Sequence, residues 1–180
     1  MENTCLHGLA ALGQPMQLAF VPEDFDAALH FWTRTMGAGP FFVREHVALG
    51  KVLYRGKETS IDFDMAIGYW GDMQIELIRQ NNDAPSIYAD WKRAGQQGLQ
   101  HVAVLVDDMN KARTTVRELK LDIEQEVLMN DGGEAIYVDT GGGAGTMVEY
   151  IHLMPERLAG FAAMRAAARG WNGEDPVRRR

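Results

Sequence analysis

A chain of 180 residues that is 46% apolar and 24% charged has ordinary globular composition. That excludes bulk disorder and allows a core without staples. Its one cysteine, Cys5, excludes an intramolecular disulfide or a cysteine-rich zinc module, and the net charge of −7 speaks against general nucleic-acid binding. No apolar run approaches the roughly 20 residues that span a bilayer. Residues 1–13 carry Glu2 and no Lys or Arg, unlike a signal peptide, so a cytoplasmic location is expected, with no nucleic-acid or membrane partner.

An apolar run at 16–22, rich in strand formers, predicts the first strand. Asp24 then offers a carboxylate to the free N–H groups of a helix whose Phe25, Ala28, Leu29, Trp32 and Met36 share one face and which stops at Gly37. Strands follow near 41–47, 60–70 and 72–79, with Gly71 and Asp72 as a tight hairpin turn. Residues 80–99 read as a linker with a short helix near 86–95. A second strand–helix pair follows at 100–106 and after Asp108, with Met109, Ala112, Val116 and Leu119 on the apolar face. Three more strands are expected near 123–129, 134–139 and 146–153, separated by the glycine-rich stretches 130–133 and 140–145. Pro155 and Gly170 then bracket a helix with a stripe of Leu158, Phe161 and Ala168. The tail ends in Arg178, Arg179 and Arg180, read as solvated or subunit-bridging because the body is acidic.

The two halves repeat. Residues 17–28 lie over 101–112, with Ala19/Ala103, Asp24/Asp108 and Ala28/Ala112 identical, and 73–78 lie over 146–151 with Glu76/Glu149 matched. The chain therefore reads as one α+β domain over 1–180. Its parts are a βαβββ unit at 14–79, the linker 80–99, a second βαβββ unit at 100–153 and a helical tail at 154–180.

The repeat puts four polar side chains in apolar strands: Gln17, Glu76, His101 and Glu149. Alternate strand residues share a face, so Gln17 lies with Ala19 and Val21, Glu76 with Gln74 and Ile78, His101 with Ala103 and Leu105, and Glu149 with Met147 and Ile151. Taken singly, a strand Glu more often meets solvent, and a His before an apolar run more often packs in a core or lies on the surface. Duplication lifts the set. A buried carboxylate needs a partner, and two at matching positions repel unless a divalent cation lies between them.

These segments resemble the vicinal oxygen chelate superfamily, which includes glyoxalase I, methylmalonyl-CoA epimerase, extradiol dioxygenases and bleomycin-resistance proteins. The resemblance spans roughly 14–153 and is carried by 17–29, 36–42, 71–77, 98–108 and 145–150. It implies paired βαβββ units forming a cupped mixed β-sheet around one metal, with Gln17, Glu76, His101 and Glu149 at the ligand positions. It also implies a homodimer and a small-molecule substrate with adjacent oxygens. Zn, Ni, Co, Mn and Mg all stay open for the metal, the oxygen-rich set favouring the harder ions.

That ligand set resembles glyoxalase I and the epimerase branch, which move a proton on a carbon next to a carbonyl through a metal-stabilised enediolate. Glu149 is the first choice for the base and Glu76 the second. The activity this resemblance implies is that of a metal-dependent lyase or isomerase. The rivals are a non-catalytic small-molecule binding protein of the same fold and, disfavoured because Gln17 leaves a single His, an extradiol-type dioxygenase.

Arg44, Glu45 and His46 face the cup or its outside depending on strand parity. Tyr54, Tyr69, Trp70 and Tyr137 line a pocket or fill the sheet. His152 is out of phase with Glu149 and expected to face away, His30 to be solvated, and Cys5 and His7 have no assigned place. The 140–145 glycines read as a loop rather than a phosphate cradle for coenzyme A, and no glutathione site is legible.

Overall fold

The computed structural model describes residues 8–179; Cys5, His7 and Arg180 lie outside them. A short turn of helix at Leu9–Ala11 leads to β1 (Gln14–Phe20), α1 (Phe25–His30), β2 (Phe41–Arg44), β3 (Lys51–Tyr54), β4 (Lys57–Thr59), β5 (Phe63–Trp70) and β6 (Met73–Gln80). Then come α2 (Ile87–Arg93), β7 (Leu99–Leu105), α3 (Met109–Glu118), β8 (Asp122–Leu128), β9 (Glu134–Asp139), β10 (Met147–His152), α4 (Pro155–Ala168) and β11 (Val177–Arg179). The fold is α+β, and the eleven strands of the described residues join one curved, mixed, open sheet in the order β11-β2-β5-β6-β1-β7-β10-β9-β8-β3-β4. β1 and β7 meet antiparallel at its centre, and each has a parallel partner, β6 and β10.

Both expected aspartate caps form: Asp24 Oδ1 accepts from Ala27 N at 2.9 Å and Asp108 Oδ1 from Lys111 N at 3.1 Å. Ser86 caps α2 in the same way at 2.9 Å. The outer face of the sheet is covered by α1 and α3. Phe25, Leu29 and Trp32 pack with Phe41, Ile75 and Leu77, while Met109, Ala112 and Val116 pack with Val104, Ile136 and Tyr150. The inner face is covered by the other two helices. Ile87 and Tyr88 of α2 close over Val127, Ala135 and Tyr137 of the second half, and Met164 of α4 closes over Phe42, Ile67 and Tyr69 of the first. A strand covered on both faces has few residues left for water, which is why 74–78 of β6 are buried without a break, Gln74 and Glu76 included.

Glycine is required at Gly68: a Cβ there would lie 2.6 Å from the ring of Phe41, which is fully buried. Gly39 (φ +148°) serves the tail, since a Cβ there would lie 3.0 Å from the Trp171 ring.

Several expectations are corrected. The first helix does not run regularly to Met36; it widens after His30 into a π-helical turn, Phe31–Thr35, closed by Met36 N donating to Phe31 O at 3.0 Å. The segment 51–59 is a hairpin, turning through Arg55 and Gly56 at positive φ. It crosses the cup, so that β3 pairs with β8 of the second half. The tail is neither free nor extended into solvent: β11 pairs parallel with β2 and completes that edge. On α4 the buried residue is Met164, and Leu158 is exposed.

Candidate metal centre and active site

Strand register assembles the centre. Across β6, β1, β7 and β10, one row of neighbours reads Gln74, Gln17, Ala103, Glu149, and the next reads Glu76, Ala19, His101, Met147. Each row holds two of the four polar residues with an alanine between them, and both alanines are fully buried. The rows are exchanged by the pseudo-twofold of the repeat. The matched alanines thus have a steric reason: larger side chains would fill the recess between the flanking polar groups.

All four polar residues are buried, His101 completely. His101 Nε2 lies 3.4 Å from Glu149 Oε2 and 3.9 Å from Glu76 Oε2, and it has no hydrogen-bond partner. The other ring nitrogen, Nδ1, is 2.6 Å from Gln100 Oε1. An amide oxygen only accepts, so Nδ1 donates to it and Nε2 is left facing the carboxylates. Two buried carboxylates and a ring nitrogen this close need a cation or a proton between them. Burial, and then the Glu149 carboxylate, push the Glu76 carboxyl well above its ordinary value.

Gln17 is reached from the opposite side. Its Nε2 donates to Gln74 Oε1 at 2.5 Å, Gln74 Nε2 donates to the Tyr69 hydroxyl at 2.8 Å, and that hydroxyl donates to Phe161 O on α4 at 3.2 Å. The Gln17 amide oxygen makes no hydrogen bond among the described residues.

One imidazole nitrogen, two carboxylates and an amide oxygen form a donor set that suits a divalent cation. The set is not drawn in as a finished cage: among the described residues, no three His, Cys, Asp or Glu side chains are gathered closely enough to hold a metal as they stand.

A cavity of about 80 Å³ opens beside these groups. Gln17, Glu76 and Glu149 line it with Tyr88, Tyr137 and a mostly apolar wall that includes Phe63, Met65 and Phe161. Tyr88 donates to the Tyr137 hydroxyl at 3.2 Å, and the Tyr137 ring stands edge-on to His101 with centroids 5.2 Å apart. Burial, reinforced by the carboxylates, pushes both phenols well above their ordinary value, so they stay protonated.

Of the remaining sequence candidates, Tyr137 lines the cavity and Tyr69 tethers Gln74. Tyr54 instead donates to Asp90, and Trp70 is 53% exposed. Arg44, Glu45, His46 and His30 are exposed. His152 bonds Val106 O at 3.2 Å, away from Glu149. Gln74, Gln100, Tyr88 and Arg157 were not singled out from sequence. Only Gln74 carried a signal, its shared face with Glu76; Gln100 sits where the β1–β7 register shifts, and Tyr88 and Arg157 lie on helices whose packing only the fold reveals.

A family model described as the Glyoxalase/Bleomycin resistance protein/Dioxygenase superfamily matches residues 16–137. The chain belongs to this superfamily. The match contains Gln17, Glu76 and His101 and ends before Glu149. Among solved structures, a hypothetical protein from Bacillus halodurans C-125 is similar with a TM-score of 0.59 and 14% identity, over 79% of this chain and 95% of that one. A methylmalonyl-CoA epimerase in complex with methylmalonyl-CoA and NH4+ has a TM-score of 0.56 and 15% identity, over 80% and 96%. The methylmalonyl-CoA epimerase from Mycobacterium tuberculosis has a TM-score of 0.55 and 14% identity, over 82% and 93%. At these identities the likeness establishes the fold. No curated protein matches the chain. Among the described residues, no helix is long and apolar enough to cross a membrane.

Proposed function

We propose that this chain is a metal-dependent enzyme that moves a proton on a carbon next to a carbonyl, as a lyase or isomerase. Gln17, Glu76, His101 and Glu149 would hold one divalent cation. The observation that carries the reading is the buried, unpartnered Nε2 of His101 facing two buried carboxylates. Superfamily membership and the epimerase neighbours support it.

The bound cation supplies Lewis-acid stabilisation of the substrate oxygen that gains charge. The chain's own residues do the rest. Glu149 and Glu76 come from opposite halves of the sheet and flank the recess, so one takes the proton and the other delivers it. Glu149 is assigned as base and Glu76 as its alternate, the two standing at matched positions of the repeat. Gln100 fixes the His101 ring, and Gln74 and Tyr69 fix Gln17. The apolar wall excludes water from the carbanion-like carbon. A homodimer belongs to the same proposal, and light scattering on the purified chain checks it.

The test has two readouts. Titration with Mn, Ni, Co, Zn and Mg should give one ion per chain, with binding weakened in His101→Ala. Exchange of substrate C–H for solvent deuterium should then be followed with methylmalonyl-CoA and with the glutathione–methylglyoxal hemithioacetal. A chain that binds no ion, and gains no thermal stability from any of the five, refutes the proposal. That result would favour a second reading, sequestration of an apolar molecule, which the unassembled donor set and the apolar cavity wall support.

A further inference from the structure

We infer that the substrate of this site carries an anionic group apart from its reacting carbon, and that Arg157 of α4 recognises it; this rests on the central cavity being the substrate site proposed above. Among the described residues, Arg157 is the one cation lining that cavity. It sits in the first turn of α4, where the partial positive charge of the helix end disfavours a cation. A residue that breaks a local rule is expected where function demands it.

The contacts of Arg157 leave binding capacity unused. Its Nε and Nη2 both reach one oxygen, Oδ2 of Asp131, at 2.9 and 2.7 Å. Asp131 Oδ1 is turned back to the amide of Gly133 at 3.1 Å. Arg157 Nη1 makes no hydrogen bond or ion pair among the described residues. A guanidinium binds a carboxylate best through two parallel bonds to two oxygens, and Asp131 offers only one. The pair is also about one-third exposed on each side, so little free energy holds it against a competing anion.

The position of Arg157 defines the ligand. A second cavity of about 250 Å³, between α4 and strands β2 and β5, shares Met65, Arg157 and Phe161 with the central one. Arg157 therefore stands at the junction. The second cavity also has Arg44, Asp131 and Glu156 on its walls, with Asp131 already engaged by Arg157. At the other end of the central cavity, Glu76 and Glu149 repel a second negative group. A molecule seated between the two ends meets an apolar wall in between. The class this fits is an amphipathic carbonyl compound with an acid group: an oxo acid or acyl acid with a short apolar body.

The test titrates the full chain, as purified, with hexanoate and with hexan-1-ol by amide chemical-shift changes. Hexanoate should bind at least about ten-fold more tightly than the alcohol, as a charge-assisted contact requires. Arg157→Met should erase that preference while alcohol binding stays within about two-fold. Asp131→Asn, which keeps the acceptor for Gly133 and releases the guanidinium, should tighten hexanoate about three-fold. Equal binding of the two probes, binding of neither, or a hexanoate preference that survives Arg157→Met overturns the inference. If Arg157→Met does not fold, unchanged or weaker hexanoate binding by Asp131→Asn overturns it. Divalent-cation binding measured on the same samples separates the two proposals. A chain that binds an ion but lacks the preference refutes the role of Arg157 alone. One that keeps the preference but binds no ion refutes the metal reading alone.

Discussion

In the first half of the sheet, Gln17 is tied through Gln74 and Tyr69 to a backbone carbonyl of α4; in the second half, His101 is tied to Gln100 on its own strand. The strands and the alanine spacers match, but the tethers do not. The covers differ too, since α4 closes the first half and α2 the second. Duplication thus accounts for where the four polar groups lie, and divergence for what holds each. The His101 position is self-contained, whereas the Gln17 position senses the C-terminal helix.

The sharpest break in this near-symmetry is functional. Glu149→Gln should lower substrate proton exchange by about three orders of magnitude, within the range for a lost general base. Glu76→Gln should cost less, and a larger loss from Glu76→Gln would reverse the assignment of the two carboxylates. Next in size, Ala103→Val and Ala19→Val each place a branched side chain in a fully buried row. Each should cost roughly 1–3 kcal/mol in denaturant unfolding and weaken ion binding. Equal losses from both would show that the rows are equivalent.

A pH series sharpens the contrast between the carboxylates. The folded-state value of Glu76 is raised, so its contribution to stability is full below the ordinary value of 4.5 and is lost as pH rises through the raised value. Without metal, Glu76→Gln should melt close to wild type near pH 4 and progressively above it toward pH 8. A constant difference would remove the burial of this charge as its cause. The smallest expected effect concerns the tethers. Tyr69→Phe deletes the link to Phe161 O and should cost about 0.5–1.5 kcal/mol. Faster amide exchange should follow along α4, an effect Gln100→Leu should lack.

Much of this was legible because it is periodic. Alternation in 73–78 and 146–151 puts each Glu among apolar neighbours, and the aspartates at 24 and 108 mark helix starts by a local hydrogen bond. What was not legible depends on distant partners. The strand at 51–54 has little alternation and is made a strand by β8, although Arg55-Gly56 is a turn signal in itself. Val177–Arg179 looks like a charged tail and becomes a strand because β2 has an open edge. Arg157 is one of many surface-type arginines until α4 is laid across the cup.

The crossing hairpin has a consequence for biosynthesis. Residues 51–59 leave the ribosome well before β8, the strand they pair with, and β1 emerges before β7. The nascent first half therefore carries unsatisfied sheet edges for as long as residues 81–128 take to appear. Slowed translation through that stretch would lengthen the interval in which a neighbouring nascent chain can add a strand.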